Sequence, residues 1–137
     1  MPFNPADAIS SLTGRVIGAA IVVHRELGPG LLESAYQACL EYQLHEHGLR
    51  FQRQVALPLQ YHGIYVECGY RVDLLVEDLL IVEVKSVEKL APIHKAQMIT
   101  HLKLTGRPVG LLLNFNVPSM RQGIRRLDNP MRPPKGT

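Results

Sequence analysis

The stretch Arg71-Val72-Asp73-Leu74-Leu75-Val76-Glu77-Asp78-Leu79-Leu80-Ile81-Val82-Glu83-Val84-Lys85 decides the fold. It reads as two strands, Arg71–Val76 and Leu79–Lys85, on either side of Glu77-Asp78. The second runs Leu-Leu-Ile-Val before its charges, the pattern of a central strand buried on both faces. Glu83 and Lys85, two residues apart, project to the same face of such a strand. A carboxylate and an ammonium are costly to bury unless they are paired or bind a metal. Charges at the end of a central strand therefore mark either a site or a salt bridge.

Asp73 supplies a third charge, and the connection between the strands decides whether it joins the other two. A two-residue turn at Glu77-Asp78 pairs Val76 with Leu79 and Asp73 with Val82, which sends Glu83 to the opposite face. An odd loop such as Glu77-Asp78-Leu79, or a bulge, sets Asp73 across from Glu83, with Cβ atoms about 4.5–5.5 Å apart. The odd loop or bulge is the arrangement predicted here. Two carboxylates at that separation repel each other unless a cation lies between them. Oxygen ligands of this kind favour Mg²⁺ or Mn²⁺, with water and substrate phosphate filling the remaining positions. Lys85 is then a point charge beside the attacking water or the developing charge on phosphate. The competing reading is a structural Asp73–Lys85 ion pair with Glu83 at the solvent edge.

Outward from this hairpin, Ile9, Leu12, Val16, Ala20, Val23 and Leu27 recur at three- and four-residue steps, the stripe of an amphipathic helix closed by Gly28-Pro29-Gly30. A second helix is expected from Leu31 to His47, ended by Gly48. Phe51 to Tyr61 alternates, Pro58 suits an edge strand, and His62-Gly63 makes a turn before Tyr65 to Tyr70. Pro92 opens a helix to Leu104, and Val109 to Phe115 is a further apolar strand. A short helical piece is expected over Met120 to Leu127. The proline-rich residues 128–137 read as a disordered tail after a single domain over 1–127. The order is α-α-β-β-β-α-β, an α/β (α+β) chain with a central mixed sheet flanked by helices.

At 137 residues and 46% hydrophobic content the chain is of one-domain size. No stretch holds the roughly 18 uninterrupted apolar residues of a membrane span, since His24-Arg25-Glu26 follow Ile17–Val23. The start, Met-Pro-Phe-Asn-Pro, lacks a secretion signal, and Cys39 and Cys68 lack metal-site spacing; both suit the cytoplasm. From Lys89 onward nine basic residues face one acid, Asp128, which makes an anionic partner plausible beside the plainer reading of a solubilising surface.

Glu33 and Tyr36 lie three apart near the start of the second helix, where a carboxylate is electrostatically favoured. They could reach the hairpin's cleft; alternatively, Glu33 folds back onto a cap at Gly30. On the third helix His94, Gln97 and His101 share a face, flanked by Lys95 and Lys103. Seven residues span about 10 Å of helix, too far for His94 and His101 to share zinc, and Gln97 is the better site candidate.

Together, Gly30-Leu31-Leu32-Glu33-Ser34-Ala35-Tyr36, Tyr70-Arg71-Val72-Asp73, Glu83-Val84-Lys85, His94-Lys95-Ala96-Gln97 and Gly110-Leu111-Leu112-Leu113-Asn114-Phe115 resemble the GxxExxY family of the PD-(D/E)xK nuclease superfamily over about Ile9 to Leu127. The resemblance implies a restriction-endonuclease-like core and a Mg²⁺- or Mn²⁺-dependent nuclease acting on nucleic acid, DNA before RNA. It makes Asp73 and Glu83 metal ligands, Lys85 the catalytic lysine, Glu33 a helix-borne acid on the same metal and Gln97 a further polar residue of the site. Asp73 follows Arg71-Val72 in place of the proline in the superfamily's name. Tyr36, His94, Lys95, Lys103, Arg125 and Arg126 are the candidates for touching nucleic acid. Specificity must come from the core, a second subunit such as a homodimer mate, or a partner. The rival expectation is a non-catalytic nucleic-acid-binding or interaction module on the same fold.

Overall fold

The structure is a computed structural model and describes residues 4–131. Helix α1 (Pro5–Leu27) starts where the Asn4 side chain accepts the Ala6 N–H at 3.0 Å, with proline at its first position. Its stripe of Ile9, Leu12, Val16, Ala19, Ala20 and Val23 is buried. By length and composition alone α1 could cross a membrane, a property the uninterrupted-run criterion missed; here its apolar face packs into the protein core. Helix α2 (Glu33–Glu46) lies beside it.

Strand β1 (Phe51–Ala56) enters the main sheet, and Pro58 ends it rather than lying within an edge strand. The segments Leu59–Tyr61 (β2) and Ile64–Val66 (β3) then form a separate two-stranded ribbon turned at His62-Gly63, both at positive φ. Strands β4 (Arg71–Val76) and β5 (Leu80–Lys85) follow, then helix α3 (Pro92–Thr105) and strand β6 (Val109–Asn114). With Ile124–Asp128 as β7, the five-stranded sheet runs β1-β4-β5-β6-β7, with β5 and β6 parallel and the other pairs antiparallel.

Alternation along β5 and β6 divides the core. Leu80, Val82, Val84, Val109, Leu111 and Leu113 pack with α1 and α2, whereas Ile81 and Leu112 pack with Met98 and Leu102 of α3. Gly110 permits that second contact, because a Cβ there would stand 2.4 Å from the Met98 sulfur.

Two expectations for the C-terminal part are overturned. Only Met120–Gly123 forms a helical turn, of 3₁₀ type (η1), and Ile124–Asp128 is strand β7. The open edge of β6 accounts for this: its unpaired backbone groups are satisfied by β7, and pairing overrides local helical preference. The tail expected from 128 onward is also structured through Asn129. That residue is buried, and its amide donates to the Leu102 and Arg107 carbonyls at 2.9 and 3.0 Å. The rest of that expectation, residues 132–137, lies outside the described residues.

Candidate active site

Strands β4 and β5 pair as Leu74↔Val82, Leu75↔Ile81 and Val76↔Leu80, which leaves Glu77-Asp78-Leu79 as a three-residue loop. This is the odd loop that side-chain parity demanded, and Leu79 belongs to it rather than to the strand. The same register carried one step further sets Asp73 opposite Glu83, but the ladder stops at Leu74↔Val82. Instead the Asp73 carboxylate fills the gap between the strands and accepts the Val84 N–H through Oδ2 at 2.8 Å.

The ladder between β1 and β4 is interrupted at the same residue. Arg53↔Leu74 and Val55↔Val72 pair in one register, while Gln54 between them takes a φ of 51°, a left-handed conformation uncommon for a side-chain-bearing residue. Val72 packs toward α3 and Leu74 toward α1 and α2, although residues two apart in a regular strand share a face. The chain thus turns over at Asp73. Gln37 of α2 fastens the kink. Its amide donates to the Asp73 carbonyl at 3.4 Å and to Glu41 at 3.1 Å, and it accepts from Gln54 at 3.2 Å. Sequence reasoning missed Gln37. The available signal was the four-residue spacing of Glu33, Gln37 and Glu41, a polar stripe on a helix that packs on the sheet.

Burial pushes the Asp73 carboxyl above its ordinary range, and the neighbouring Glu83 charge adds to this; the Val84 N–H, Lys85 and Gln54 pull the other way without offsetting it. Glu83 is buried and not at the solvent edge, and its Oε2 accepts from His101 Nδ1 of α3 at 2.6 Å. The sequence placed His101 on the informative face of α3 but did not reveal this partner. Lys85 is half-buried and forms no ion pair within 4.0 Å among the described residues, so the structural Asp73–Lys85 bridge is absent.

Among the described residues no three His, Cys, Asp or Glu side chains are grouped so as to hold a metal ion. Glu33 is accordingly not assembled with Asp73 and Glu83. It is exposed at the first position of α2, not the third, and its Oε1 accepts the Ser86 N–H at 3.4 Å, just past Lys85. A hard divalent cation that keeps several waters needs only one or two carboxylates. The Asp73–Glu83 pair fits that demand, since the Val84 and His101 bonds each engage a single carboxylate oxygen.

Other expected contacts fall elsewhere. Tyr36 offers no surface to nucleic acid: it is fully buried, stacked on Phe115 with ring centroids 4.6 Å apart. Its hydroxyl donates to the Gly28 carbonyl and accepts the Leu31 N–H at 3.1 Å. His94 caps its own helix, Nδ1 accepting the Ala91 N–H at 2.9 Å. Gln97 lines a cavity with His101 and Tyr70. Lys95, Lys103, Arg125 and Arg126 are exposed, and Arg126 reaches Asp128 at 3.3 Å.

A five-stranded mixed sheet flanked by helices, with a half-buried carboxylate on β4 and a buried carboxylate and a lysine two residues apart on β5, is the arrangement of a nuclease-type α/β core. The family description "PD-(D/E)XK nuclease superfamily" matches residues 10–127, and the chain belongs to that superfamily. Its fold is restriction-endonuclease-like. No curated protein and no solved structure matches the chain.

Proposed function

We propose that the protein is a Mg²⁺- or Mn²⁺-dependent phosphodiesterase that cuts nucleic acid, with DNA as the first substrate class to test. One observation supports this reading: the Asp73 carboxylate lies between β4 and β5 on the Val84 N–H, near enough to Glu83 for that charge to act on it, while Lys85 forms no ion pair within 4.0 Å among the described residues. Asp73 and Glu83 would hold the cation, which when bound supplies positive charge to the scissile phosphate. His101 fixes the Glu83 carboxylate in one orientation. The Val84 N–H does the same for Asp73. Lys85 puts a preorganised positive charge where negative charge grows on the phosphate as water attacks in line. Lys95, Lys103 and Arg125 supply exposed charge for the backbone. Two free cysteines fit action in a reducing compartment, the cytoplasm.

The decisive experiment incubates the protein with supercoiled, linear, single-stranded and branched DNA in Mg²⁺, Mn²⁺ or EDTA. Cutting is expected with either metal, to vanish in EDTA, and to fall at least about 10²-fold in Lys85→Ala, the scale of losing one preorganised charge stabiliser. Equal cutting by Lys85→Ala and Asp73→Asn would assign the activity to a contaminant and remove the proposal's support. Binding without cutting under every metal would favour the non-catalytic module.

A further inference from the structure

Between α3 and the foot of the β2–β3 ribbon lies a cavity of ≈ 370 Å³. Leu57, Leu59 and Leu104 give it aliphatic walls, Gln97 and Thr100 bring polar groups, and no carboxylate among the described residues lines it. His101 is part of the wall, and the same imidazole holds Glu83 at 2.6 Å, so a single ring separates this cavity from the proposed active site. Tyr70 is 62% exposed on the cavity, its ring centroid 6.5 Å from that of His101 with 44° between the planes. Lys103 is exposed and follows Thr100 by three residues and Ala96 by seven, which places it in the row of α3 side chains beside the opening.

These features suit a flat heterocycle with a polar edge attached to a phosphate chain. Aliphatic and aromatic walls take the faces of such a ring. The Gln97 amide offers both a donor and an acceptor to its edge. Tyr70 is positioned to stack on it, and Lys103 complements the phosphate. A base inside an intact duplex cannot enter a pocket; one that is unpaired or turned out of the stack can.

We propose that this cavity receives an unpaired nucleobase of the strand lying on Asp73, Glu83 and Lys85, so that the substrate class is single-stranded or locally unpaired nucleic acid. The inference rests on the nuclease reading for the position of that strand. It is a binding site of its own, with a readout that requires no cleavage.

The test uses full-length Lys85→Ala protein and an oligonucleotide carrying one 2-aminopurine, presented single-stranded and as a duplex. Saturable quenching is expected with the single strand, at an affinity about tenfold or more above that for the duplex. Tyr70→Ala should weaken single-strand binding about tenfold, the scale of losing one base–aromatic stack, and leave duplex binding unchanged. Tyr70→Phe keeps the ring and should keep the affinity. Thr100→Trp, which fills the cavity, should match Tyr70→Ala, with circular dichroism melts confirming that each variant folds. Equal affinity for both forms, or no effect of Tyr70→Ala, overturns the inference. A sedimentation change showing that Tyr70→Ala dissolves a dimer without altering oligonucleotide binding overturns it too, in favour of a second copy on this face. If wild-type protein cuts duplex DNA without single-strand preference, the pocket fails and the nuclease reading survives. If the single strand binds through Tyr70 and no metal yields cutting, the pocket survives and the nuclease reading fails.

Discussion

Two polar groups meet the core of this protein in opposite ways. Tyr36 is wholly buried, yet its hydroxyl has both a carbonyl to donate to and an N–H to accept from, and its ring lies flat on Phe115. Asp73 is half-buried, its carboxyl is raised by burial and by Glu83, and the strand breaks its pairing on both sides to accommodate it. The first arrangement lowers the energy of the fold and the second raises it. Both belong to motifs that resemble those of a nuclease, but only the second is placed unfavourably, the mark of a candidate functional site.

The largest effect should come from breaking the satisfied region. Tyr36→Ala removes the aromatic stacked on Phe115, just past β6, and is expected to cost about 3–5 kcal/mol in urea unfolding. Tyr36→Phe should cost about 1–2 kcal/mol, since the Gly28 carbonyl and Leu31 N–H lose their partner while the ring stays. A Tyr36→Phe protein of unchanged stability that no longer cuts DNA would move this hydroxyl from the scaffold into the site.

The strained region should respond with the opposite sign. Asp73→Asn keeps an oxygen for the Val84 N–H and removes the charge. Because the folded-state value of Asp73 is raised, the native protein binds its proton more tightly than the unfolded chain does. That stabilisation is fully present below the ordinary aspartate range and is lost as pH rises through the raised value. At neutral pH and without divalent metal, Asp73→Asn should therefore melt above wild type. The gain is less than about 1 kcal/mol after solvent screening, or roughly a few °C. The difference should shrink as pH falls, and Mn²⁺ should stabilise wild type but not the variant. A variant melting below wild type at neutral pH would mean that the carboxylate is favourably solvated and the hairpin is not under strain.

The same contrast explains what the sequence disclosed. Periodicity found α1, α2, α3, β4, β5 and β6, since each buries a face large enough to impose its period. Parity of side chains across the hairpin called for an odd loop or a bulge, and the loop is three residues long. The Gln54–Asp73 kink was not legible, because it results from two strands and α2 meeting; the polar stripe of Glu33, Gln37 and Glu41 marks a helix face but not what that face meets. His101 was visible on its helix face, but its partner Glu83 is 18 residues away on another element. Strand β7 was hidden for a related reason: Ile124-Arg125-Arg126-Leu127 has apolar residues at helical spacing, and only the edge of β6 makes it a strand.

Glu33 lies between the two regions, and the smallest effect will show to which it belongs. As the first residue of α2 it contributes a negative charge at a helix N-terminus, and its bond to the Ser86 N–H, at 3.4 Å, is long. Glu33→Gln preserves an acceptor and the side-chain length, so only the charge term should be lost. The expected cost is about 0.3–1 kcal/mol at low ionic strength, fading as salt is added. As Glu33 is not grouped with Asp73 and Glu83, Mn²⁺ affinity measured by calorimetry should change less than about twofold, a shift near 0.4 kcal/mol. A loss of tenfold or more would require Glu33 to swing from Ser86 toward the carboxylate pair when the cation binds. In that case the α2 N-terminus would belong to the site, and the boundary between satisfied scaffold and strained centre would pass between Glu33 and Tyr36, within a single helical turn.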